Sequence, residues 1–98
     1  MSSSMAILKH CDEVSAVLKS LSHPVRLKVL CQLIEREKTV NDLTEFCGIS
    51  QSAMSQFLSR MRSEGVLESR KESTSVYYRI ADSKMKKLLQ ALKEIYCK

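Results

Sequence analysis

Hydrophobic residues recur at intervals of three and four along most of this chain, which is the spacing of one face of an α-helix. The stripe of the first predicted helix, over residues 5–20, consists of Ile7, Cys11, Val14, Leu18 and Leu21. Pro24 fits the first turn of a second helix, because its missing N–H is no loss there, and Ser22 or His23 can cap that helix. The second helix runs to about Arg36, and its predicted inward face is Leu27, Leu30, Cys31 and Ile34.

Two further helices follow in close succession. Thr39 predicts an N-cap, with Asp42 three residues on as its capping-box partner, and this short helix ends at Cys47-Gly48. Ser50 leads directly into the next helix, which Gly65 ends. Two helices joined by a glycine-containing turn are typical of the helix-turn-helix motif.

The helix from Ser50 to Gly65 has two faces of opposite character. Its predicted buried stripe is Met54, Phe57, Leu58 and Met61, and its opposite face is Ser52, Ser55, Gln56 and Ser59. Arg60 and Arg62 flank the polar face, and no acidic residue precedes Glu64. Short hydroxyls and amides approach base edges and phosphates closely, and the missing carboxylates remove repulsion from a polyanion. The pattern therefore predicts a DNA-recognition helix.

The end of the chain predicts a β-hairpin and a last helix. Residues 66–71 and 75–80 form two strands, the second with alternating apolar and polar positions, around a polar tip without a glycine-based tight turn. Asp82 caps the last helix, whose stripe is Met85, Leu88, Leu89, Leu92, Ile95 and Tyr96. The predicted fold is mainly α with a small β-hairpin: a winged helix-turn-helix forming one domain over residues 1–98.

The first and last helices carry more apolar surface than so small a centre can cover. We therefore expect a symmetric dimer built on them, rather than a monomer that uses both helices as lids. Two-fold symmetry also presents two recognition helices one DNA turn apart.

The distribution of charge supports a nucleic-acid partner. The net charge is +5, yet residues 1–50 balance at zero, and the surplus is +2 in residues 51–80 and +3 in residues 81–98. A basic half suits a phosphate backbone. The chain has no apolar run long enough to cross a bilayer and no secretion signal, so we expect a cytoplasmic protein without a membrane partner. Nothing in the sequence resembles a catalytic constellation, so an enzyme is not expected.

Nine residues are the predicted contacts to double-stranded operator DNA. The amides of Gln51 and Gln56 suit bidentate contacts to adenine. Short hydroxyls on the same face suit bases or phosphate, and basic side chains suit phosphates: Ser52, Ser55, Ser59, Arg60, Arg62, Arg70 and Lys71. The alternative for Arg70 and Lys71 is a solvated strand end.

Three segments resemble the ArsR/SmtB family of winged-helix bacterial repressors: LSHPVRLKVLCQL, GISQSAMSQFLSRMRSEGVLESRKE and VYYRI. The resemblance covers nearly the whole chain. It implies a homodimer formed through the first and last helices, and an inducer that loosens DNA binding. Val40-Asn41 stands where arsenic-type and cadmium-type members carry cysteines, and residues 82–98 lack the histidines of zinc-type members. A metal-responsive repressor is therefore a lesser alternative, and no metal or cofactor is expected.

The four cysteines lack a C-x-x-C motif, and in a reducing compartment they favour a sensor or plain core residues over a structural disulfide. From the residues alone Cys31 is interpreted as a small core residue, and Cys11 and Cys47 as core or helix-end residues. The placement of Cys31 and Cys97 is similar to the dithiol branch of the family, the SqrR, BigR and HlyU type. That resemblance implies two cysteines that persulfide or oxidant bridges.

Three functions stay open on this resemblance. The first is a repressor that reactive sulfur species release from its operator. The second is an activator or anti-repressor of virulence genes that is gated by redox chemistry, and the third is the metal-responsive repressor. A protein-interaction module without DNA fits the polar face and the basic surplus poorly. Phe57 departs from the branch, in which a His commonly follows the Ser-Gln pair.

Overall fold

The computed structural model describes residues 3–97, with side chains from Met5 onward. Residues 1–2 and 98, which the predicted domain includes, lie outside the described residues. The elements are α1 (Ser3–Leu8), α2 (Cys11–Leu21), α3 (Pro24–Glu35), β1 (Lys38–Thr39), α4 (Val40–Cys47), α5 (Gln51–Ser63), β2 (Leu67–Glu72), β3 (Ser75–Ile80) and α6 (Ser83–Tyr96). This order is a mainly helical fold with a small antiparallel wing, as predicted.

The first predicted helix is two helices. A turn at Lys9 and His10 separates α1 from α2, with the N–H of His10 bonded to the carbonyl of Ile7 at 2.8 Å. The prediction of one continuous helix is wrong here. Apolar periodicity shows which residues share a face, but it does not show whether the backbone hydrogen bonds run without a break, and neither Gly nor Pro marks this turn.

Helix α3 begins as predicted but faces inward through a different set of residues. The ring Nδ1 of His23 accepts a hydrogen bond from the N–H of Val25 at 3.1 Å, with Pro24 in the first turn. The buried residues are Val29, Leu30 and Leu33, whereas Leu27 and Ile34 are half-buried and Cys31 is exposed. The interpretation of Cys31 as an inward-facing core residue is therefore wrong, because the buried face is centred on the pair Val29 and Leu33.

The caps of the next helices follow the predicted local chemistry. The hydroxyl of Thr39 accepts from the N–H of Asp42 at 3.2 Å, and the carboxylate of Asp42 accepts from the N–H of Thr39 at 3.0 Å. These hydrogen bonds lower the pKa of Asp42 below its usual value. Gly48 adopts φ of +68°, the left-handed conformation that ends α4 and starts the turn into α5.

The sheet has three strands in the order β1-β3-β2, all antiparallel. Strand β1 pairs Lys38 with Tyr78, and the sequence did not predict it because two residues carry no alternation. Strand β2 begins one residue later than predicted. The wing tip contains no glycine, as predicted, but it is still a two-residue turn at Ser73 and Thr74, in which Ser73 adopts φ of +59°.

One hydrophobic core joins α2 to α6 and the wing. Its members are Leu21, Val29, Leu30, Leu33, Leu43, Met54, Leu58, Met61, Val66, Leu67, Ile80, Met85 and Leu89. Large apolar side chains remain exposed on α1 and α2 and at the end of α6: Met5, Ile7, Leu8, Val14, Leu18, Ile95 and Tyr96. The predicted excess of apolar surface on the first and last helices is therefore present. Within residues 3–97 no helix is long and apolar enough to cross a membrane.

Candidate nucleic-acid interface and dithiol site

Helix α5 is fixed against the core from Met54 to Met61. The hydroxyl of Ser50 accepts from the N–H of Ala53 at 3.1 Å and caps the first turn. Met54, Leu58 and Met61 are each 0% exposed. Because these three residues set the rotation of the helix, the opposite face points away from the protein.

The predicted base-contacting residues share that outer face. Gln51, Ser52, Ser55, Gln56 and Ser59 are all exposed. An uncharged polar face held rigidly by a packed inner face has the form that base readout requires.

Two predicted phosphate contacts lie in the last turn of α5. Arg60 and Arg62 are exposed, and they enter no ion pair among the described side chains. Cations at a helix C-terminus are favoured by the negative end of the helix dipole. Their guanidinium groups thus stay available to a polyanion.

The structure places Arg70 and Lys71 in different surroundings, although both were predicted from the sequence to contact phosphates. Nε of Arg70 lies 2.6 Å from Glu37, and Nη1 lies 2.8 Å from Glu72. Its guanidinium carbon lies 4.8 Å from the ring centroid of Tyr77, and the two carboxylates raise the pKa of Arg70. Lys71 is exposed, with no ion pair to another described side chain. The side chain of Arg70 is fixed by these contacts, so the alternative of a solvated strand end does not describe it.

Phe57 has a local packing role. It is half-buried and lies against the ring of His23, with ring centroids 4.8 Å apart and planes tilted by 55°. The prediction that Phe57 belongs to the fully buried stripe is therefore only partly right. Its ring joins the middle of α5 to the start of α3.

The two predicted redox-sensing thiols are both free and both exposed. Cys31 lies on α3, and Cys97 is the C-cap of α6, where its N–H bonds to the carbonyl of Lys93 at 2.8 Å. Partial burial, and then the nearby charge of Cys97, raise the pKa of the Cys31 thiol.

The environment of Cys97 is open to a small reagent. The thiol borders a shallow groove that Gln90, Lys93 and Glu94 also line. Helices α3 and α6 pack against each other, and both contribute to the core, α3 with residues that include Leu30 and α6 with residues that include Leu89. The two thiols therefore stand on neighbouring helices, within one packed unit.

The other two cysteines differ from this pair. Cys11 is exposed in the first turn of α2, and Cys47 is half-buried at the end of α4. Burial raises the pKa of Cys47, and the charge of Lys28 partly offsets this. Across residues 3–97 no three His, Cys, Asp or Glu side chains form a group that could hold a metal ion.

An ion pair that joins the elements around the site was not predicted from the sequence. Arg26 on α3 binds Glu64, at the end of α5, through two hydrogen bonds of 2.8 and 3.0 Å. The available signal was the position of Glu64. An acidic residue at a helix C-terminus opposes the helix dipole, so a nearby cation stabilises it.

Comparisons with known proteins agree with this arrangement. Residues 23–69 match the family model described as "Bacterial regulatory protein, arsR family". The biofilm growth-associated repressor of Xylella fastidiosa (strain Temecula1) is 40% identical over 89 residues, covering 91% of this chain and 78% of that protein. The transcriptional activator HlyU of Vibrio cholerae is 33% identical over 89 residues, covering 91% of this chain and 82% of that protein. The crystal structure of the transcriptional repressor BigR from Xylella fastidiosa superimposes with a TM-score of 0.90 at 37% identity, covering 99% of both chains.

Proposed function

This chain belongs to the ArsR family of bacterial regulatory proteins, in its BigR and HlyU branch, and we propose that it is a dimeric repressor whose operator affinity falls when persulfide bridges Cys31 and Cys97. DNA binding and transcriptional regulation follow from family membership. Beyond family membership, we propose the identity of the inducer, the thiol bridge, the dimer interface and the individual DNA contacts.

The observation that carries the proposal is the pairing of two free, exposed thiols on α3 and α6. Both thiols are accessible, and the two helices pack against each other and into the same core. A direct disulfide requires Cα atoms within about 7 Å, and a link through additional sulfur atoms spans a wider gap. The proposal covers both kinds of link.

The chemistry balances with persulfide as the only oxidant. One cysteine thiolate attacks the sulfane sulfur of RS–SH, forming Cys–S–SH and releasing RSH. The second cysteine then attacks the inner sulfur of that group and expels hydrosulfide, so that two protein thiols are oxidised and one sulfane sulfur is reduced. If both cysteines become persulfides, their reaction leaves a trisulfide and again releases hydrogen sulfide.

The bridge restrains helices that support the DNA-reading face. It ties the end of α6 to α3. The N-cap of α3, His23, contacts α5, and Arg26 on α3 binds the C-cap of α5. A change in the relative position of these helices alters the spacing of the two recognition helices in a dimer. Allosteric coupling of this kind is typically about 1–3 kcal/mol, or 5–150-fold in affinity.

The proposed dimer uses the exposed apolar faces of α1, α2 and α6. It presents two α5 helices to successive major grooves, about 34 Å apart. In this arrangement Gln51 and Gln56 contact bases together with the neighbouring serines, whereas Arg60, Arg62 and Lys71 contact phosphates. Arg70 contacts phosphate only by exchanging one of its two carboxylate partners.

The proposal is tested with a DNA duplex selected in vitro for binding to reduced wild-type protein. Reduced protein is treated with glutathione persulfide, disulfide or peroxide, and its affinity for the duplex and its intact mass are measured. We expect persulfide to bridge Cys31 and Cys97 and to weaken wild-type binding, and Cys31→Ser and Cys97→Ser to keep full affinity.

Cys11→Ser and Cys47→Ser are the matched controls, since each removes one thiol outside the proposed pair. Both controls should respond to persulfide as the wild type does. Unchanged wild-type affinity after treatment would contradict the proposal, as would an undiminished response in both Cys31→Ser and Cys97→Ser.

A second candidate function is supported by the relative from Vibrio cholerae, which is described as a transcriptional activator. In that case the same DNA binding raises transcription or displaces another repressor, and oxidation gates it. Transcription in vitro from the promoter that contains the selected sequence separates the two candidates. A repressor lowers transcript in its reduced form, and an activator raises it.

A further inference from the structure

We infer that Arg26, through its paired hydrogen bonds to Glu64, is the positioning residue that makes the recognition helix α5 follow movements of α3. This inference rests on the proposed function, because it describes how a bridge at Cys31 reaches the DNA-reading face.

The geometry of the pair is directional. Nη1 of Arg26 lies 2.8 Å from Oε1 of Glu64, and Nη2 lies 3.0 Å from Oε2. Nη1 also donates to the hydroxyl of Ser20 at 2.9 Å, so one guanidinium joins α2, α3 and the end of α5. A two-pronged bond fixes the orientation of both planar groups as well as their distance. Rotation of α5 relative to α3 therefore breaks the pair.

The surroundings strengthen this bond. The side chain of Arg26 is 13% exposed, so its charge is better shielded from solvent than that of an ordinary surface arginine. The hydrogen bonds from Arg26 lower the pKa of Glu64, while the pKa of Arg26 is raised. Both groups thus remain charged and paired at neutral pH.

The position of Glu64 indicates why the pair exists. Glu64 is the C-cap of α5, and its N–H bonds to the carbonyl of Arg60 at 3.0 Å. A carboxylate here opposes the helix dipole, and it would repel phosphates beside a DNA-reading helix. Pairing with Arg26 offsets both costs and locks the end of α5 to α3.

Helix α3 connects this lock to the thiols. Cys31 lies five residues after Arg26, which is about 7.5 Å along the helix axis. A second contact, between His23, the N-cap of α3, and Phe57 on α5, lies at the middle of the recognition helix. Helix α3 therefore holds α5 at two points and also carries one of the two thiols.

The test compares Glu64→Gln and Arg26→Lys with the control Glu68→Gln. Glu68 pairs with Arg79 on the wing, so the control removes a carboxylate of similar exposure with the same change in net charge. Each full-length variant is checked for folding by thermal unfolding. Its affinity for the selected duplex, and for a scrambled duplex of equal length, is measured before and after treatment with glutathione persulfide.

We expect Glu64→Gln and Arg26→Lys to form the thiol bridge normally but to lose most of the response. The decrease in operator affinity, about 5–150-fold in wild type on the usual scale of allosteric coupling, should shrink to less than about 2-fold. Their preference for the selected duplex should also fall by at least about 5-fold, since α5 is less well positioned. The control should keep the wild-type response and preference.

Two results separate this inference from the proposed function. A wild-type response in both bridged variants would overturn the inference and leave the proposed function standing. A wild type that shows no response would overturn the proposed function. The duplex preference of the reduced variants then decides the inference, and an unchanged preference in Glu64→Gln and Arg26→Lys rejects it. Ser20→Ala keeps the carboxylate pair, so it should behave as wild type even if the other variants fold poorly.

Discussion

The recognition helix α5 and the last helix α6 are both amphipathic, but the protein anchors them differently. Helix α5 is buried at Met54, Leu58 and Met61, which spans nearly its whole length. Helix α6 is fully buried only at Met85 and Leu89, with Leu88 and Leu92 half-buried against the core, and its last turn stays exposed. A fully anchored helix reads DNA reproducibly, whereas a helix anchored at one end can be repositioned by a partner subunit or a thiol bridge. The firmly anchored α5 is thus the DNA-reading helix, and the less anchored α6 carries one of the two proposed sensing thiols.

The largest expected effect is on the free energy of unfolding, and it compares how firmly α5 and α6 are anchored. Leu58→Ala should lower the free energy of unfolding by about 2–5 kcal/mol, because it leaves a cavity in the core. Ile95→Ala, at a side chain that is 66% exposed, should cost the folded subunit much less but weaken the dimer. Urea unfolding and sedimentation equilibrium measure these two quantities. Equal losses of subunit stability would show that α6 is anchored as firmly as α5.

The next effect concerns base reading by α5. Gln56→Ala should reduce binding to the selected duplex by about 1–3 kcal/mol, because a bidentate contact to a base is lost. Binding to the scrambled duplex should hardly change. Gln90→Ala, which removes an exposed amide from α6, is the matched control. Equal losses on both duplexes would remove Gln56 from the base-reading set.

A smaller effect distinguishes the two basic residues of the wing. Lys71→Ala should reduce the slope of log affinity against log salt by about 0.9, the contribution of one phosphate contact. Arg70→Ala should reduce the slope less, because its guanidinium is already held by Glu37 and Glu72. Filter binding over a range of salt concentrations measures both slopes. A larger change for Arg70 would mean that it exchanges its carboxylates for phosphate.

The smallest effect is a dependence of stability on pH. The hydrogen bonds from Arg26 lower the pKa of Glu64 in the folded protein. The unfolded chain should titrate near the ordinary Glu value of about 4.3, so the stabilisation is full above that pH and is lost as pH falls through the lower folded value. Glu64→Gln should therefore flatten the acid side of the stability profile. Parallel profiles for wild type and variant would contradict this assignment.

Local chemistry accounts for what the sequence could predict. The capping box of Thr39 and Asp42, the left-handed Gly48 and the two faces of α5 depend on residues within one turn of each other. These features hold regardless of the rest of the fold, and the structure confirms them.

Features that depend on distant residues could not be predicted from the sequence. The exposure of Cys31 depends on how α3 is rotated against α6, and strand β1 exists because Lys38 meets Tyr78 forty residues later. The pair of Arg26 and Glu64 joins residues 38 positions apart. No periodicity records such contacts, because periodicity describes a single element.

We propose above all that linking α6 to α3 lowers the affinity of the protein for DNA. The most direct measurement isolates wild-type protein in which intact mass and peptide mapping show a link between Cys31 and Cys97. Fluorescence anisotropy then compares its affinity for the selected duplex with that of the same sample after reduction. We expect binding about 5–150-fold weaker in the linked form, with full recovery on reduction. Equal affinity of the linked and reduced forms would contradict it.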